Sequence, residues 1–493
     1  MKILLVYPEY PDTFWSFKHA LKFISKKATY PPLGLLTVAA ILPKIWEKKF
    51  IDMSTSTLND KDIKWADYVF ISAMSIQKES VKDVIAKCKK LGAKIVAGGP
   101  LFTTGYEDFE DDVDYFILNE AEITLPLFLE DLEKGHPKHV YTSNKWADLH
   151  TTPVPLWELA DLNQYASMCL QYSRGCPFNC DFCDVTLLFG HKMRLKTKEQ
   201  VIAELESLYS RGWRGGVFVV DDNFIGNKAE LKKKLLPAII DWMRARKHPF
   251  TFTTQVSVNL SDDEELMHLM VQAGFGSVFV GIETPNEESL AECNKVQNKN
   301  RDLIVCVKKM QKFGLMVSGG FIVGFDNDPP SIFDRLIEFI QKSGILSAMV
   351  GLLNAPRGTA LYKRMLKEHR LLENISGDNT DLSINFIPKM DYKVLVNGYK
   401  RILHTIYSPK NYYARMLTLL RNIKPLPKKK YQFHLCYLTA FLKSIWHLGI
   451  IGEERFYYWK LFFWSLIRRP QYFPLFITYA IYGFHFRKIY KNY

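Results

Sequence analysis

The sequence predicts an α/β protein in three parts, on the evidence of two series of βα repeats and a change of composition near the end. A doubly wound parallel sheet is expected over residues 1–140, and a partial barrel of six βα units over residues 168–360. Residues 141–167 contain Pro153-Val-Pro155 and little periodicity, which indicates a linker crossing the surface. Residues 361–493 are helical in pattern, aromatic and basic, so we expect a C-terminal α-helical domain.

The N-terminal part alternates five strand candidates with three helix candidates. The strands are expected at Ile3–Tyr7, Phe50–Met53, Tyr68–Met74, Lys94–Ala97 and Tyr115–Leu118, and the helices at 33–43, 77–91 and 122–134. This alternation predicts a Rossmann-like sheet that binds ligands at the carboxyl ends of its strands. No G-x-G-x-x-G motif follows the first strand, which disfavours a dinucleotide site. A purely structural sheet is the alternative.

The second βα series has six strand candidates. They are expected at 168–173, 216–221, 250–257, 277–282, 316–323 and 346–353, with helices at 198–210, 229–246, 262–273, 300–313 and 331–343. A closed barrel of this type needs eight units. Six units therefore predict an open, partial (β/α)6 barrel, with its function collected at the carboxyl ends of the strands.

The most specific motif is a C-x3-C-x2-C triad, Cys176, Cys180 and Cys183, just after the first barrel strand. Three thiolates can bind three corners of a [4Fe–4S] cluster, whereas ferredoxin-type sites use a fourth cysteine. No fourth cysteine follows nearby, so one iron would keep an open position, as catalytic metal sites do. A zinc loop is disfavoured because no second Cys/His pair appears. The other five cysteines show no disulfide spacing, which indicates a reducing cytosol.

Polar and glycine-rich stretches follow the later barrel strands. They are Val220–Phe224, Gln255 with Ser257, Gly281–Pro285, Gly319–Phe325 and Asn354–Thr359. Each stretch alone is typical of structural filling. Their order behind a cysteine triad, at the functional end of a barrel, indicates a binding site.

With the triad, Gly281–Pro285 and Lys295–Asn298, the barrel resembles the radical S-adenosylmethionine (SAM) superfamily. The N-terminal sheet resembles the cobalamin-binding domain of the subclass that carries one. The whole arrangement, with its long helical C-terminal region, is similar to hopanoid methylases and archaeal lipid ring-forming enzymes. The resemblance implies a [4Fe–4S] cluster, SAM and cobalamin as cofactors, and a reductant such as flavodoxin or ferredoxin.

The resemblance also implies roles for individual residues. The cysteine triad would bind the cluster, and Phe182 would lie against adenine. Asp222 and Asn223 stand where the family usually has Gly-Gly-Glu against the SAM methionyl group, so this chain departs from the pattern there. The further SAM contacts expected at the barrel mouth are Gln255, Ser257, Glu283 and Gly320. Polar filling of the mouth is the alternative for these side chains.

For cobalamin, the familiar Asp-x-His-x-x-Gly motif is absent. The sequence Asp148-Leu-His150 continues as Thr-Thr-Pro and lies outside the predicted sheet. The resemblance therefore implies base-off cobalamin without a protein histidine on cobalt, and the Ser72–Gln77 loop is the candidate for its lower face. The predicted contacts are Ser72, Met74, Ser75, Gln77, Gly98, Gly99 and Glu120.

The basic charge lies in the C-terminal region. Residues 401–493 hold sixteen lysine and arginine residues against two glutamates, a net charge of +14, while the whole chain carries +13. Lys424–Lys430 marks a break, and Tyr472–Phe486 is an apolar aromatic run shorter than the ~20 residues of a spanning helix. We expect this run to lie in an anionic membrane interface, with the protein cytoplasmic and peripheral at the inner face. A helical cover over the barrel is the alternative.

Taken together, these patterns predict a cobalamin-dependent radical SAM enzyme that methylates an unactivated carbon of a hydrophobic, lipid-like substrate. Carbon–carbon bond formation or cyclisation on a lipid is an alternative. A radical SAM RNA-modifying enzyme is another, although nucleic acid is disfavoured because the aromatic residues stand in apolar runs rather than between basic ones. A cluster- and corrin-binding sensor without turnover is the alternative outside enzymes.

Overall fold

The computed structural model describes residues 1–372, 376–378, 380–424 and 435–491. The break expected at Lys424–Lys430 lies, beyond Lys424, outside the described residues. The α/β fold class is confirmed: an N-terminal sheet is followed by a half-barrel sheet, and both are parallel throughout. A helical C-terminal region completes the described chain.

The N-terminal sheet has six strands in the order β2-β1-β3-β4-β5-β6. The strands are β1 Lys2–Tyr7, β2 Glu47–Asp52, β3 Tyr68–Ser72, β4 Lys94–Gly98, β5 Tyr115–Ile117 and β6 Val140–Tyr141, and the helices are α1 Lys18–Leu21, α2 Leu33–Ile41, α3 Asp60–Trp65, α4 Lys78–Lys90, α5 Pro100–Gly105 and α6 Ala121–Glu133. Residues 3–6 of β1 are all 0% exposed because helices cover both faces of the sheet. The order reverses between β1 and β3, which is where open α/β sheets bind ligands.

The second sheet has six parallel strands in the order β14-β13-β12-β11-β10-β7, as predicted. Its strands are β7 Ser167–Leu170, β10 Gly215–Val219, β11 Phe250–Val256, β12 Phe275–Glu283, β13 Met316–Val323 and β14 Ala348–Leu352. Along β12, Val278 and Val280 are buried, while the alternate residues Ser277 and Phe279 keep accessible surface. The alternation shows that the concave face lines open space while the other face packs against helices.

The barrel helices are α7 Val185–Phe189, α8 Lys198–Ser210, α9 Lys228–Glu230, α10 Leu236–Ala245, α11 Glu264–Ala273, α12 Glu287–Glu292, α13 Leu303–Phe313, α14 Ile332–Ser343 and α15 Ala360–Lys367. The five predicted barrel helices are found within a few residues, as α8, α9 with α10, α11, α13 and α14, whereas α7, α12 and α15 were not predicted. Helix α8 matches its predicted bounds because Thr197 caps it, with the Thr197 side chain accepting from Gln200 N at 3.1 Å. A π-helical turn, Leu231–Leu235, joins α9 to α10.

Most residues of segment 141–167 keep accessible surface, as expected for a segment that crosses the surface, but buried aromatic side chains anchor it. Trp157 and Tyr165 are each 1% exposed. The Tyr165 hydroxyl donates to Asp52 Oδ2 at 2.9 Å, at the carboxyl end of β2. These aromatic contacts form with distant parts of the chain, so the local pattern of polar turn residues does not predict them. The segment therefore helps to fix the first sheet against the second.

The described C-terminal helices pack largely against the barrel and each other. They are α16 Tyr392–Tyr407, α17 Pro409–Asn422, α18 Leu435–Ser444, α19 Arg455–Arg468 and α20 Phe473–Tyr490, with a π-helical turn Ile445–Ile450 after α18. From α16, the Tyr399 hydroxyl donates to Val350 O at 3.1 Å and the Tyr407 hydroxyl to Ala348 O at 2.7 Å, both on β14. Helix α16 therefore covers the last barrel strand, as the helical-cover alternative requires.

The prediction that Tyr472–Phe486 lies in a membrane interface is wrong. This run forms most of α20, where Phe476 and Phe486 are 0% exposed. Phe486 stacks on Phe14 of the N-terminal domain, with 4.4 Å between ring centroids. Its apolar side chains are already buried inside the protein, so they are not available to lipid. Among the described residues, no helix has the length and hydropathy needed to cross a bilayer.

Candidate functional site

A short hairpin fixes the ends of the cysteine loop. Strand β8, Ser173–Arg174, pairs antiparallel with β9, Arg194–Leu195, immediately before the triad. Gly175 has φ of 100°, and a Cβ there would lie 2.7 Å from Lys192 O, so only glycine fits this turn. The loop between the two strands is thereby held close to the carboxyl end of β7.

The three cysteines of the triad are free and partly accessible. Two contacts from the end of α12 and the residues after it hold the same loop: Asp181 N donates to Cys293 O at 3.0 Å, and Asn294 Nδ2 donates to Asn179 O at 2.8 Å. Neither contact uses a thiol of the triad. One short loop thus supplies three sulfur ligands, as expected for a cluster with an open iron.

The surroundings of the thiols favour a positively charged partner. Burial raises the pKa of Cys176 and of Cys180, and raises that of Cys183 to about 12. The Lys295 ammonium opposes this effect at all three sulfurs. Since iron ligation requires thiolates, the charge of bound iron would stabilise the deprotonated form that burial disfavours. The donor set therefore fits an iron–sulfur cluster.

An ion pair between Glu283 and Lys295 lies next to the cysteine loop. Lys295 Nζ is 2.6 Å from Glu283 Oε1, and both side chains are largely buried. Glu283 adopts a φ of 63°, unusual for a residue other than glycine. A Cβ at Gly281 would lie 2.4 Å from Glu283 Oε1 and 2.9 Å from Lys295 Nζ, so glycine makes room for the pair. Lys295 Nζ also lies 5.9 Å from the centre of the Phe182 ring.

This ion pair explains the charge state of Lys295. Burial by itself lowers the pKa of Lys295, but the carboxylate of Glu283 raises it, and the net direction is upward. Phe182 and Glu283, both predicted as SAM contacts, are thus brought together at the mouth. Lys295 belongs to the Lys295–Asn298 stretch that carries the family resemblance, but its residue type alone does not predict the ion pair.

Two amides just beyond Lys295 present buried acceptors. Gln297 Nε2 lies 3.7 Å from Cys180 Sγ, and Asn298 Nδ2 donates to Gly281 O and Ile282 O at 2.9 Å each. Their side-chain oxygens, Gln297 Oε1 and Asn298 Oδ1, are buried and have no partner in the part of the chain that the structure describes. Buried acceptors of this kind need donors. A ligand with N–H or O–H groups, such as SAM, would satisfy them.

Within the Asp221–Asn223 stretch, Asp221 and Asn223 are buried and bonded to other parts of the protein, whereas Asp222 keeps accessible surface. Asp221 is 0% exposed and accepts from Tyr172 N at 2.8 Å and from the Ser173 hydroxyl, so it ties β10 to the cysteine loop. Asn223 Oδ1 accepts from Ser257 N at 3.2 Å and Ser257 Oγ at 3.3 Å, which joins two predicted SAM contacts to each other.

Asp222, unlike its two neighbours in sequence, is partly exposed. Burial raises the pKa of Asp222 to about 7, and the charge of Asp184 adds to the effect. Its charge in turn acts on the Cys176 thiol. The structure therefore leaves Asp222 as the member of this stretch best placed to meet a ligand at the mouth.

Gln255 and Gly320 lie deeper on the concave face. Gln255 is opposite Phe279 in the β11–β12 register, and Gly320 is opposite Gly281 in the β12–β13 register. A Cβ at Gly320 would come 2.8 Å from Phe279 Cζ. The structure therefore gives Gly320 the role of making room for the Phe279 ring.

Two aromatic residues of the N-terminal domain reach this concave face. The Trp15 ring lies edge-on to Phe279, with centroids 5.3 Å apart, and Trp15 Nε1 is 3.0 Å from Met349 Sδ. The Tyr30 ring is 5.2 Å from that of Phe218 on β10. Sequence reasoning missed both residues, because only folding brings the N-terminal loops over the barrel. Together these five side chains form an aromatic wall between the two sheets.

The carboxyl edge of the first sheet is built from closely packed backbone. Gly99 has φ of 92°, and a Cβ there would lie 2.7 Å from Ser72 Oγ; a Cβ at Gly98 would lie 2.7 Å from Ile117 O. Gln77 is buried and braces the loop, accepting from Met74 N at 2.9 Å and donating to Pro8 O at 2.6 Å. Met74 is 48% exposed beside it, and Ser75 follows Met74 in the same loop.

This edge fits a flat macrocycle without a histidine ligand. Residues 1–140 contain three histidines. His19 is paired with Asp12, 2.8 Å away, while His136 and His139 precede β6 at the opposite edge of the sheet. None of them belongs to the Ser72–Gln77 loop. This loop therefore supplies no histidine, and base-off cobalamin stays a prediction.

Glu120, expected to contact cobalamin, is committed to an ion-pair network between the two sheets. Its carboxylate accepts from Arg174 Nη1 at 2.9 Å and from Arg194 Nη1 at 2.8 Å, and Glu122 pairs with Arg174 at 2.7 Å. Ala147 N donates to Glu120 as well, at 2.7 Å. Since these side chains are at most 14% exposed, the network is a buried contact between the first sheet and the cysteine hairpin.

Comparison with known families agrees with this architecture. A B12 binding domain matches residues 23–129, and the radical SAM superfamily matches residues 170–340. A domain of unknown function matches residues 359–493. The two sheets and the helical region thus each correspond to a known sequence family.

Two relatives are similar over nearly the whole chain. An uncharacterized methyltransferase of Synechocystis is 40% identical over 99% of this chain and 91% of its own length. The hopanoid C-2 methylase of Rhodopseudomonas palustris is 31% identical over 95% of this chain and 90% of its own length. Both alignments extend beyond the barrel into the C-terminal helices.

Solved structures support the fold. The cobalamin-dependent radical SAM enzyme OxsB, bound to aqua-cobalamin and SAM, matches with a TM-score of 0.63 at 15% identity, covering all of this chain and 80% of OxsB. The radical SAM methyltransferase TsrM of Kitasatospora setae, with cobalamin and a [4Fe–4S] cluster bound, matches with a TM-score of 0.62 at 14% identity, covering all of this chain and 99% of TsrM. The chain belongs to the cobalamin-dependent radical SAM methyltransferases, and its cofactors are a [4Fe–4S] cluster, SAM and cobalamin.

Proposed function

We propose that this enzyme methylates an unactivated carbon of a hydrophobic, lipid-like substrate. The observation that carries the proposal is the alignment with the hopanoid C-2 methylase, which runs through 95% of the chain and therefore includes the C-terminal helices. Carbon–carbon bond formation and RNA modification are not favoured, because the relatives that match nearly the full length are methyltransferases.

The aromatic wall suits a substrate of this class. Trp15, Tyr30, Phe218, Phe279 and Met349 present rings and a thioether on the concave face of the barrel. Burying apolar substrate surface against the wall contributes about 25 cal/mol per Å² to the free energy of binding. Such a wall recognises shape and apolarity rather than charge. A bulky, uncharged lipid fits these contacts better than a polar metabolite would.

The site residues have complementary roles in the proposal. Cys176, Cys180 and Cys183 hold the cluster, while Glu283 and Asp222 orient SAM at the barrel mouth. The Ser72–Gln77 loop and Gly98–Gly99 support cobalamin. When bound, these cofactors supply the radical chemistry and the methyl group. We place the domain limits at 1–140, 168–360 and 361–493. The reductant in this proposal is flavodoxin or ferredoxin.

The protein's own contribution to the reaction is enclosure and positioning. The concave sheet and the aromatic wall exclude water, which protects reactive species from side reactions. Glu283 keeps Lys295 protonated beside the thiols, so a fixed positive charge stays next to the proposed cluster ligands. We also propose that the enzyme lies in the cytoplasm, peripheral to the inner face of the membrane, where lipid substrates reside.

Isotope transfer tests the proposal. Cells expressing the enzyme or its Cys183→Ala variant are fed methyl-labelled methionine, and the lipid and RNA fractions are analysed by mass spectrometry. We expect a labelled apolar lipid one methyl group heavier only with the unaltered enzyme. Label in RNA alone, or a lipid altered without gaining carbon, would overturn the proposal. Counting methylated product against 5′-deoxyadenosine separates methylation from cyclisation.

A further inference from the structure

A large part of the exposed apolar surface is concentrated on α18 and α19. Eleven of the 26 large apolar side chains that are exposed in the described residues fall within residues 437–467. We call the outward surface of these two helices the α18–α19 face and define it by Leu438, Leu442, Trp446, Phe456, Phe463 and Ile467. Monomeric soluble proteins rarely expose contiguous apolar surface of this kind unless it binds something.

The exposed residues recur with helical periodicity. Leu438, Leu442 and Trp446 are four residues apart along α18 and its π-helical extension, and they are 41%, 56% and 55% exposed. On α19, Phe456, Phe463 and Ile467 are 74%, 54% and 73% exposed. Residues spaced by three, four and seven positions share one side of a helix. Each helix therefore has an apolar stripe facing outward.

Both stripes belong to one surface. Phe441 of α18 stacks on Phe462 of α19, with centroids 6.2 Å apart, and both rings contact Phe473 of α20, at 6.0 and 4.9 Å. The Tyr458 and Ser444 hydroxyl oxygens, 3.0 Å apart, join α19 to α18 as well. The inner sides of α18 and α19 thus rest on α20, and their outward stripes point away from it together.

The charges around the face are mostly positive. Arg455, Lys460 and Arg468 are exposed on α19, and Lys460 stands within the apolar stripe. Of the two glutamates after residue 400, Glu454 is buried and paired with Arg487, which leaves Glu453 as the exposed one. A second copy of the chain on this face would bring positive charges together, which costs free energy. An anionic partner would match them.

We propose that the α18–α19 face docks on the interface of an anionic phospholipid bilayer. Aromatic rings and aliphatic side chains would enter the headgroup boundary, and lysine and arginine would meet lipid phosphates. Helix α19 has 14 residues, about 21 Å at ~1.5 Å per residue, too short for the ~30 Å hydrocarbon core. The helices therefore lie along the surface rather than span it.

The docked face is connected to the concave side of the barrel. The Phe23 ring contacts His447 after α18, with centroids 5.5 Å apart, and Lys443 Nζ donates to Lys22 O at 2.7 Å. Eight residues before Phe23, Trp15 contacts Phe279 in the barrel. Segment 15–23 thus joins the α18–α19 face to the aromatic wall, and substrate entry from this face is part of the proposal. This link to substrate entry rests on the proposed function, whereas bilayer binding does not need turnover.

Vesicle co-sedimentation of the full-length, cofactor-loaded protein tests the proposal. The variant is Phe463→Glu with Ile467→Glu. The control, Val305→Glu with Leu366→Glu, makes the same charge change at residues 57% exposed on α13 and α15. Vesicles are phosphatidylcholine alone or with phosphatidylglycerol. We expect the unaltered protein and the control to bind anionic vesicles, and the variant to bind at least tenfold more weakly.

Equal vesicle binding by the variant and the control would overturn the proposal. A variant that changes only the oligomeric state, measured by analytical ultracentrifugation, would also overturn it and identify the face as a contact between copies. Iron content and circular dichroism establish that each variant is folded. An Arg468→Gln, Arg469→Gln variant should lose part of the preference for anionic over neutral vesicles. Methyl transfer is measured separately, so failure of the lipid-substrate proposal would leave this result standing.

Discussion

The two parallel sheets present their carboxyl edges to the same space but make binding sites by different means. At the barrel edge the chemistry lies in side chains: three cysteines, the Glu283–Lys295 pair and Asp222. At the edge of the first sheet, the binding surface is formed mainly by the backbone. Gly98 and Gly99 have no room for a Cβ, and the Gln77 side chain braces the loop. In the proposed function, one edge would hold a metal cluster through three cysteine ligands, while the other would offer a surface to the macrocycle.

This difference determines how each site responds to substitution. A ligand that donates a bond to metal cannot be replaced, so loss of one cysteine removes the cluster. A surface built from many weak contacts loses affinity gradually. The four predictions that follow test this contrast, and the contact that joins the two edges, in order of decreasing effect.

The largest effect is expected at the cysteine loop. Replacing Cys183 by Ala removes one of three sulfur ligands, so we expect loss of the cluster and of SAM cleavage while cobalamin binding stays. Iron analysis and the visible absorption of the anaerobic protein measure it. The matched control is Cys306→Ala on α13, where a free, partly exposed cysteine has no predicted ligand role. Unchanged iron in Cys183→Ala would refute the ligand assignment.

The contact between the two sheets comes next. Replacing Glu120 by Ala leaves Arg174 and Arg194 buried without one of their carboxylate partners. Breaking a buried ion pair in this way costs about 3–5 kcal/mol in the free energy of unfolding. Denaturant unfolding measures it. Glu130→Ala, which breaks an exposed pair with Lys134, should leave stability almost unchanged because solvent screens that pair. Equal effects of the two variants would contradict the network.

A smaller effect is expected at the first sheet. Met74 is 48% exposed on the Ser72–Gln77 loop, so Met74→Asp should leave folding intact and place a charge where the macrocycle would lie. We expect cobalamin affinity to fall about tenfold, or ~1.4 kcal/mol, with iron content unchanged. Leu127→Asp on α6, at 47% exposure, is the control. If both variants bind cobalamin equally well, the loop is not the lower-face surface.

The smallest effect concerns pH. Burial would raise the pKa of Glu122, but the guanidinium of Arg174 holds it below its ordinary value. A depressed carboxyl pKa contributes stability above the ordinary value near ~4.3, and this contribution is lost as the pH falls through the folded value. Glu122→Gln should therefore flatten the acid side of the stability–pH curve. Unfolding free energies of both proteins between neutral and acid pH measure this effect. Parallel stability–pH curves for the two would contradict the ion pair between Glu122 and Arg174.

The sequence by itself determined the architecture and supplied the prediction of the cluster ligands. Strand and helix bounds agree within a few residues, because parallel strands buried on both faces are continuous apolar runs such as Ile3–Val6 and capping residues such as Thr197 mark helix ends. The cysteine triad could be recognised because its ligands are local: all three lie within eight residues. Patterns of this kind need no knowledge of distant contacts.

Only the tertiary structure decided which groups are available. Glu120 and Gln77 have the residue types of ligand contacts, yet ion pairs and backbone hydrogen bonds occupy them. Trp15 and Tyr30 reach the barrel from a remote part of the chain, which no local pattern predicts.

The same holds for the two aromatic helices near the end of the chain. Helices α19 and α20 are both apolar and basic in sequence, but α20 is enclosed by its neighbours and α19 keeps one side exposed. Composition measures how apolar a segment is. Whether that surface meets protein or solvent depends on which other elements pack against it, and folding alone settles that.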